Sequence, residues 1–401
     1  MLQENTLDAL REGEMRELGN ICISGATGFL GIHVLRAFLQ LEKGTAFCVV
    51  RSKKDMTAQE HLRNMLNYYF RGELLKIGGK PFHEALNDLL GTRIVVIDGN
   101  ITDPKLYEQL ESLPIDTYIN CAANVKHFSA GTDIEDVNFG GVKLALEFCR
   151  KINCRFVQIS TASIGGMSIN GSPSEETRLT ETMFWFGQDL SNKYVHSKFL
   201  AERAVLEAAL DGADVKIMRV GNLMARDIDG EFQINFSSNN FLSRLKAYHC
   251  IGAIPYDAMG AKAEFAPIGY TALAVLQLAK TPEKCRVFHP YNDHDVFLGD
   301  AVEVLNRLGI SIKPCETCEY ENYLSEAMRN PETARHLNSL IAYQEHGKRV
   351  VPIKSVNSYT SQVLLRLNFK WPITSADYLN RFFRRMNELG FFDADGERKG
   401  S

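Results

Sequence analysis

The chain has 401 residues, 45% hydrophobic and 23% charged, with a formal net charge of −4 at pH 7. That length exceeds one small domain and can bury a large core, the composition is that of a globular protein, and the charge balance excludes a global basic surface for nucleic acid. No apolar run approaches the roughly 20 residues of a bilayer span, MLQENTLDALREGEMREL lacks the apolar stretch of a secretory signal, and nine scattered cysteines fit a reduced, cytoplasmic setting.

Residues 1–19 read as a polar lead-in helix or linker. From Ile21 onward, short apolar runs alternate with helical patterns. Strands are expected at 21–24 (ICIS), 46–50 (AFCVV), 93–98 (RIVVID), 117–121 (TYINC), 155–160 (RFVQIS) and 215–220 (VKIMRV). Helices are expected at 29–42, 135–152 and 192–211. Runs rich in β-branched residues suit strands buried on both faces. The βαβα alternation predicts an α/β fold, a Rossmann-like doubly wound parallel sheet with right-handed crossovers. The connection at 51–92 is long and carries a helix of its own, AQEHLRNMLNYYF. A connection of that length needs structure or a function.

After Val220 the pattern changes. Residues 222–262 hold few strand signals, 263–280 read as a strand end, a turn and a helix, and 296–393 are mostly helical. The expected organisation is a nucleotide-binding domain of 20–221 plus 263–295, a smaller, mostly helical C-terminal substrate-binding subdomain of 222–262 plus 296–393, and a polar tail at 394–401. Cys315 and Cys318 form one CxxC, with no second pair at metal spacing, so no metal is expected.

Three stretches carry chemistry. In SGATGFLG, residues 24–31, Gly25, Gly28 and Gly31 lie between a strand and a helix. Such a loop lets backbone approach a pyrophosphate beside a helix N-terminus, although a tight structural turn has the same look. At the end of the second strand the chain reads VVRSKKD. An acidic residue there would bind a free ribose 2′-OH. Arg51, followed by Ser52 and Lys53, suits a 2′-phosphate instead, hence NADPH over NADH, unless the loop is merely solvated.

In NKYVHSKFLAERAV, Tyr194 and Lys198 stand four apart on one helical face. An ammonium near a phenol favours its ionised form, so the pair can exchange a proton with a carbonyl oxygen as hydride arrives. In FVQISTASIGG a strand ends at Ser160 and Thr161, at the sheet edge where ligands of open α/β sheets bind. A hydroxyl there can stabilise oxyanion charge, or simply cap the strand.

With these three in order, residues 20–280 resemble the extended short-chain dehydrogenase/reductase superfamily, and within it the thioester reductase branch. That branch includes the terminal reductase domains of non-ribosomal peptide synthetases and the reductase domains of carboxylic acid reductases. SGATGFLG, the long 51–92 insertion, NCAANVKH (120–127), DVNFGGVKLALEF (136–148), RVGNLMARDIDGEFQIN (219–235) and EFAPIGYTALAV (264–275) carry the resemblance. It implies Thr161, Tyr194 and Lys198 as catalytic residues. For the cofactor it implies Gly25, Thr27, Gly28, Phe29, Leu30, Gly31, Arg51, Arg63, Asn100, Ile101, Ala122, Ala123, Asn124, Tyr194, Lys198, Gly221 and Asn222. Two motifs depart from the pattern: GNI, with Asn100, stands for a GDL-like motif, and PIG (267–269) stands for PVD.

The resemblance implies NADPH-dependent reductive release of a peptidyl or acyl thioester from the phosphopantetheine arm of a carrier protein. The product is an aldehyde or, after a second round, an alcohol. The helical C-terminal part would shape the acyl pocket and dock the carrier, and the chain would act as a monomeric module. The rivals are a fatty acyl-CoA reductase, a nucleotide-sugar epimerase or dehydratase, and a non-catalytic NADPH sensor. Arg51 and the insertion speak against the sugar enzymes, and the Tyr-Lys pair speaks against the sensor.

Overall fold

A computed structural model describes residues 7–72, 76–125, 131–168, 177–337 and 351–393, without the side chains of 351 and 352. The expected tail at 394–401, the first residues of the lead-in and the end of NCAANVKH lie outside the described residues.

Seven strands form one parallel sheet: β1 Ile21–Ser24, β2 Ala46–Val50, β3 Ile94–Asp98, β4 Thr117–Asn120, β5 Arg155–Thr161, β6 Val215–Val220 and β7 Val287–Phe288. Their order is β7–β6–β5–β4–β1–β2–β3. All neighbours run parallel. The chain builds outward from β1 to β3, then crosses back to lay β4 on the other side of β1. The order therefore reverses between β1 and β4, and a crevice at the carboxyl ends of those strands is the ligand site of such sheets. β1, β2, β4 and β6 are buried along their whole length, as crossovers on both faces require.

The six expected strands are present, with ends differing by at most one residue. β7 is an addition to them: two residues, Val287 and Phe288, carry no periodicity to read. It nonetheless extends the sheet beside β6, with Ile217 opposite Val287. Under the crevice a buried polar chain crosses the strands. Ser24 Oγ donates to Asn120 Oδ1 at 2.6 Å, and Asn120 Nδ2 donates to Gln158 Oε1 at 2.9 Å. Each amide thus has a partner inside the sheet, where an unpaired one would be costly.

The helix Phe29–Leu41 follows β1, and the insertion supplies Ala58–Phe70, a two-stranded hairpin (Lys76–Ile77 with Lys80–Pro81) and Phe82–Leu89. Thr57 and Glu60 close a capping box that starts Ala58–Phe70. His33 on the first crossover helix meets the edges of Tyr69 and Phe70 at 5.3 and 5.1 Å between ring centroids, seating the insertion on the sheet's helical layer. The expected helix at 135–152 is in three pieces: a turn Asp133–Glu135, a π-helical segment Asp136–Gly140, and the α-helix Gly141–Ile152.

Two compact units divide the chain. The first takes the residues up to Gly221, Gly269–Tyr291, and a return segment ending at Lys370. That segment, which the sequence pattern groups with the subdomain, pairs Lys354–Ser355 with Arg178–Leu179 and continues as the helix Ser358–Arg366. The second unit takes Asn222–Ile268, the residues from Asn292, and those from Trp371. Its helices Asn240–Ile251, Leu298–Arg307, Thr317–Arg329 and Ala376–Glu388 accompany short strand pairs such as Ala253–Pro255 with Lys313–Cys315. Phe232, Phe265 and Phe382 are buried edge to face in its core. The helix Asn240–Ile251 lies outside the sequence expectation. Its signals are terminal: the Asn239 side chain accepts from Leu242 N, and Gly252 ends it with a left-handed backbone.

Candidate active site

The glycine loop is shaped for close approach. Gly25 has φ +71°, and a Cβ there would fall 2.6 Å from Ala122 N. A side chain at Gly31 would run into the Gly25 carbonyl. Gly28 starts the helix Phe29–Leu41 with no side-chain cap and no acidic residue in its first turn. The helix therefore offers amide N–H groups and its positive dipole end at the crevice. A dinucleotide pyrophosphate fits this cradle, in which side chains at Gly25 and Gly31 would collide with backbone.

Arg51 lies exposed at the end of β2. The following Ser52 donates from its N to Asp98 Oδ1 at 3.0 Å, and its hydroxyl donates to Asp98 Oδ2. This fixes the turn while leaving the Arg51 side chain in solvent. Arg63 is half-buried and donates to Asn87 Oδ1 at 2.6 Å, so one of its donors is already engaged within the insertion. Asn100 is exposed and Ile101 buried at the turn after β3.

Beyond β4, Ala122, Ala123 and Asn124 run past Gly25. Asn138 pins this loop: its Oδ1 accepts from Asn124 N at 2.7 Å, and its Nδ2 donates to Asn124 O at 2.9 Å and to Ser197 Oγ at 3.0 Å. Ser197 Oγ donates in turn to Tyr194 O at 2.7 Å. Asn138 sits in the π-helical segment, a distortion common at functional sites, which turns its amide inward. Nothing in the sequence pattern singles it out. The π register that aims it leaves no trace in hydrophobic spacing.

Of the expected trio, Thr161 and Tyr194 meet at the end of β5, whereas Lys198 bonds the strand two residues earlier and has no hydrogen bond to either. The Tyr194 phenol shares a side-chain hydrogen bond with Thr161. Thr161 Oγ1 also accepts from Ser163 N at 3.1 Å. Lys198 lies one turn along the helix Lys193–Leu210, 3% exposed, and donates to Ile159 O at 2.6 Å. Ser160 turns its hydroxyl away from the crevice, onto Glu202. Burial pushes the phenol up to about 12, against the Thr161 hydrogen bond. Burial pushes the ammonium down to about 8, against Glu202 and Cys121. The sequence alone suggests an ammonium that lowers the phenol. Here the phenol lies above its ordinary value and is fully protonated at neutral pH, the state a proton donor needs.

Gly221 follows β6, and Asn222 opens the second unit. Asn222 N donates to Glu264 Oε2 at 2.7 Å. Glu264 Oε1 is buried without a partner among the described residues, and burial pushes this carboxyl up to about 8. Glu264 is absent from the expected site residues, because a single Glu before a strand end carries no motif. Cys315 is buried and Cys318 exposed. No described helix is long and apolar enough to cross a membrane.

Comparison with known proteins agrees with this geometry. The male sterility protein family, an NAD-binding family, matches residues 23–275. A glycine betaine reductase of Emericella nidulans is 25% identical over 337 residues, 77% of this chain and 24% of that protein. A non-canonical nonribosomal peptide synthetase of Aspergillus campestris is 25% identical over 287 residues, 68% of this chain and 25% of that protein. The chain thus spans about a quarter of the length of these two relatives. A thiolation-reductase di-domain from an archaeal non-ribosomal peptide synthetase is 39% identical, with a TM-score of 0.87 over 98% of this chain and 80% of that one. A reductase domain of a non-ribosomal peptide synthetase from Mycobacterium tuberculosis shares the fold, with a TM-score of 0.69 at 20% identity over 97% of this chain and 98% of that one.

Proposed function

Because the chain belongs to the male sterility protein family and so binds a nicotinamide cofactor, we propose that it is an NADPH-dependent reductase releasing a peptidyl or acyl thioester from the phosphopantetheine arm of a carrier protein. The observation that supports the reading is the hydrogen bond between Thr161 and Tyr194 at the carboxyl end of β5, with Lys198 one helical turn from Tyr194 and bonded to Ile159 O, on the sheet edge that also holds the glycine cradle. The 39% identity to a thiolation-reductase di-domain supports a carrier as the partner.

Bound in the cradle, NADPH supplies hydride to the thioester carbonyl carbon. The Thr161 hydroxyl and the Tyr194 phenol hold the carbonyl oxygen, and Tyr194 gives up its proton as negative charge develops there. The resulting hemithioacetal expels the carrier thiol and leaves an aldehyde. Lys198, one helical turn from Tyr194, would hold the nicotinamide ribose and steady the phenolate left on Tyr194. Gly25, Gly28 and Gly31 seat the pyrophosphate, and Arg51 takes the 2′-phosphate.

The test mixes the chain with NADPH or NADH and a panel of acyl- and dipeptidyl-pantetheine thioesters, acyl-CoAs and nucleotide sugars, with products read by mass spectrometry. Aldehyde or alcohol from a thioester, faster with NADPH and absent in Tyr194→Phe, is the expected result. Turnover of acyl-CoA alone or of a nucleotide sugar moves the assignment to a sister activity.

A further inference from the structure

In the mechanism above Arg51 meets the 2′-phosphate alone. The resemblance implies a second arginine there, Arg63, but the insertion helix Ala58–Phe70 turns it elsewhere. Arg63 Nη1 donates to Asn87 Oδ1 at 2.6 Å, on the helix Phe82–Leu89. The residue that the insertion does bring to Arg51 is His61, whose Nδ1 lies 3.2 Å from the Arg51 carbonyl oxygen. A carbonyl only accepts, so Nδ1 carries the proton and donates. Residues two apart do not share a helical face. The contact that turns His61 toward the end of β2 therefore carries Arg63 round to the other side.

Local bonds hold this arrangement. Thr57 and Glu60 close the capping box just before His61, and His61 N donates to Thr57 O at 2.9 Å. Lys53 and Met56 exchange both backbone hydrogen bonds, at 2.9 and 3.2 Å, which folds VRSKKDM back on itself. Ser52 is tied to Asp98 on β3. The stretch from Arg51 to His61 is thus a closed loop rather than a free arm.

The charged groups facing His61 are Arg51 and Lys53, both from the end of β2. The neighbouring acids are already engaged: Glu60 Oε2 accepts from Thr57 N and Oγ1 at 2.9 and 2.8 Å, and Asp98 accepts from Ser52. Among the described residues no acid pairs with Arg51, Lys53 or His61. Three groups able to carry positive charge therefore gather at one strand end without a counter-charge from the chain. Burial holds the imidazole below its ordinary value, opposed by the Arg51 carbonyl and aided by the Lys53 and Arg51 charges. The empty chain thus keeps His61 mostly neutral at pH 7.

We infer that His61 is a further residue for the cofactor's 2′-phosphate, seating Arg51 through its carbonyl and taking up a proton from solvent when that dianion arrives beside it. The inference rests on the NADPH reading above. An anion close by favours the imidazolium, so affinity for a 2′-phosphorylated nucleotide is highest in mild acid. It falls as pH rises and the bound imidazole gives its proton back. A nucleotide with a free 2′-OH brings no such charge and shows no such fall.

The test is isothermal titration of the full chain with NADP⁺ and NAD⁺, from about pH 5.5 to about pH 8, across the ordinary range of imidazole. The same titrations on His61→Gln cancel the phosphate's own ionisation near pH 6. For NADP⁺, the wild type is expected to bind about tenfold more tightly than His61→Gln at the acid end, with the advantage shrinking toward the alkaline end. His61→Arg, with a fixed charge, is expected to keep tight binding throughout, and NAD⁺ to show none of these differences. A preference for NADP⁺ whose pH dependence is the same in wild type and His61→Gln overturns the inference alone. Equal binding of NADP⁺ and NAD⁺ at every pH overturns the NADPH reading and the inference with it.

Discussion

The two ends of the parallel sheet both bury charge and put it to different uses. At the amino ends of β5 and β6, Arg155 is 1% exposed and holds Asp214 through Nε and Nη2, both at 2.8 Å. Its Nη1 donates to Ala279 O, while Arg16 reaches the same carboxylate at 2.9 Å. Lys216, also buried, donates to Pro282 O at 2.8 Å. These cations are spent on the backbone and one aspartate, tying the lead-in, two strands and the Ile268–Ala279 helix together. At the carboxyl ends of the same strands, Thr161 bonds the Tyr194 phenol and burial pushes the Lys198 ammonium down to about 8. The contrast follows from strand polarity: loops at carboxyl ends are free to diverge around a ligand, whereas those at amino ends serve stability.

Breaking the catalytic end has the largest expected effect. Tyr194→Phe lowers kcat by about 10²–10⁴-fold, a larger effect than on NADPH binding followed by cofactor fluorescence. At the opposite end, Arg155→Met leaves Asp214 without its fork. It costs about 3–5 kcal/mol of stability, read as a lower urea midpoint, and kcat per folded molecule stays at the wild-type value. A large loss of kcat in folded Arg155→Met would erase the division between the two ends.

Two smaller effects sharpen the comparison. Arg51→Ala weakens NADPH by about 10–100-fold, the worth of hydrogen bonds to a charged group, and leaves NADH affinity as it was. Isothermal titration with both cofactors reads the difference. Lys216 gives a signature in pH. Burial pushes it down to about 7, below its unfolded value near 10.5. Between those values the unfolded chain binds more protons, so stability rises with pH across that window and is lost as pH falls toward 7. The wild-type denaturant midpoint, taken relative to that of Lys216→Met, is expected to rise from pH 7 to 10.

The parts of this molecule that sequence reveals are those governed by local rules. Strands buried on both faces read as apolar runs, and the glycine loop reads from its place between a strand and a helix; Arg51 and the Tyr194–Lys198 spacing are expectations whose tests are the variants above. What stays hidden depends on distant partners or on very short elements. β7 is two residues long. Asn138 works only because a π-helical turn aims it at Asn124 and Ser197. Arg219 and His289 lie 70 residues apart, and no spacing rule joins them. Likewise Glu264 stands out only once its second oxygen is seen to be buried without a partner among the described residues.

The chain leaves the first unit after Gly221, returns at Gly269, leaves again after Tyr291, and comes back in the segment that ends at Lys370. A fragment ending at Gly221 would carry every expected catalytic residue, yet lack β7, His289 and Thr360. No single crossover in a gene could exchange one unit and spare the other, and a ribosome must release nearly the whole chain before either unit has all of its parts. Exchanging one complete unit therefore takes several crossovers along the gene.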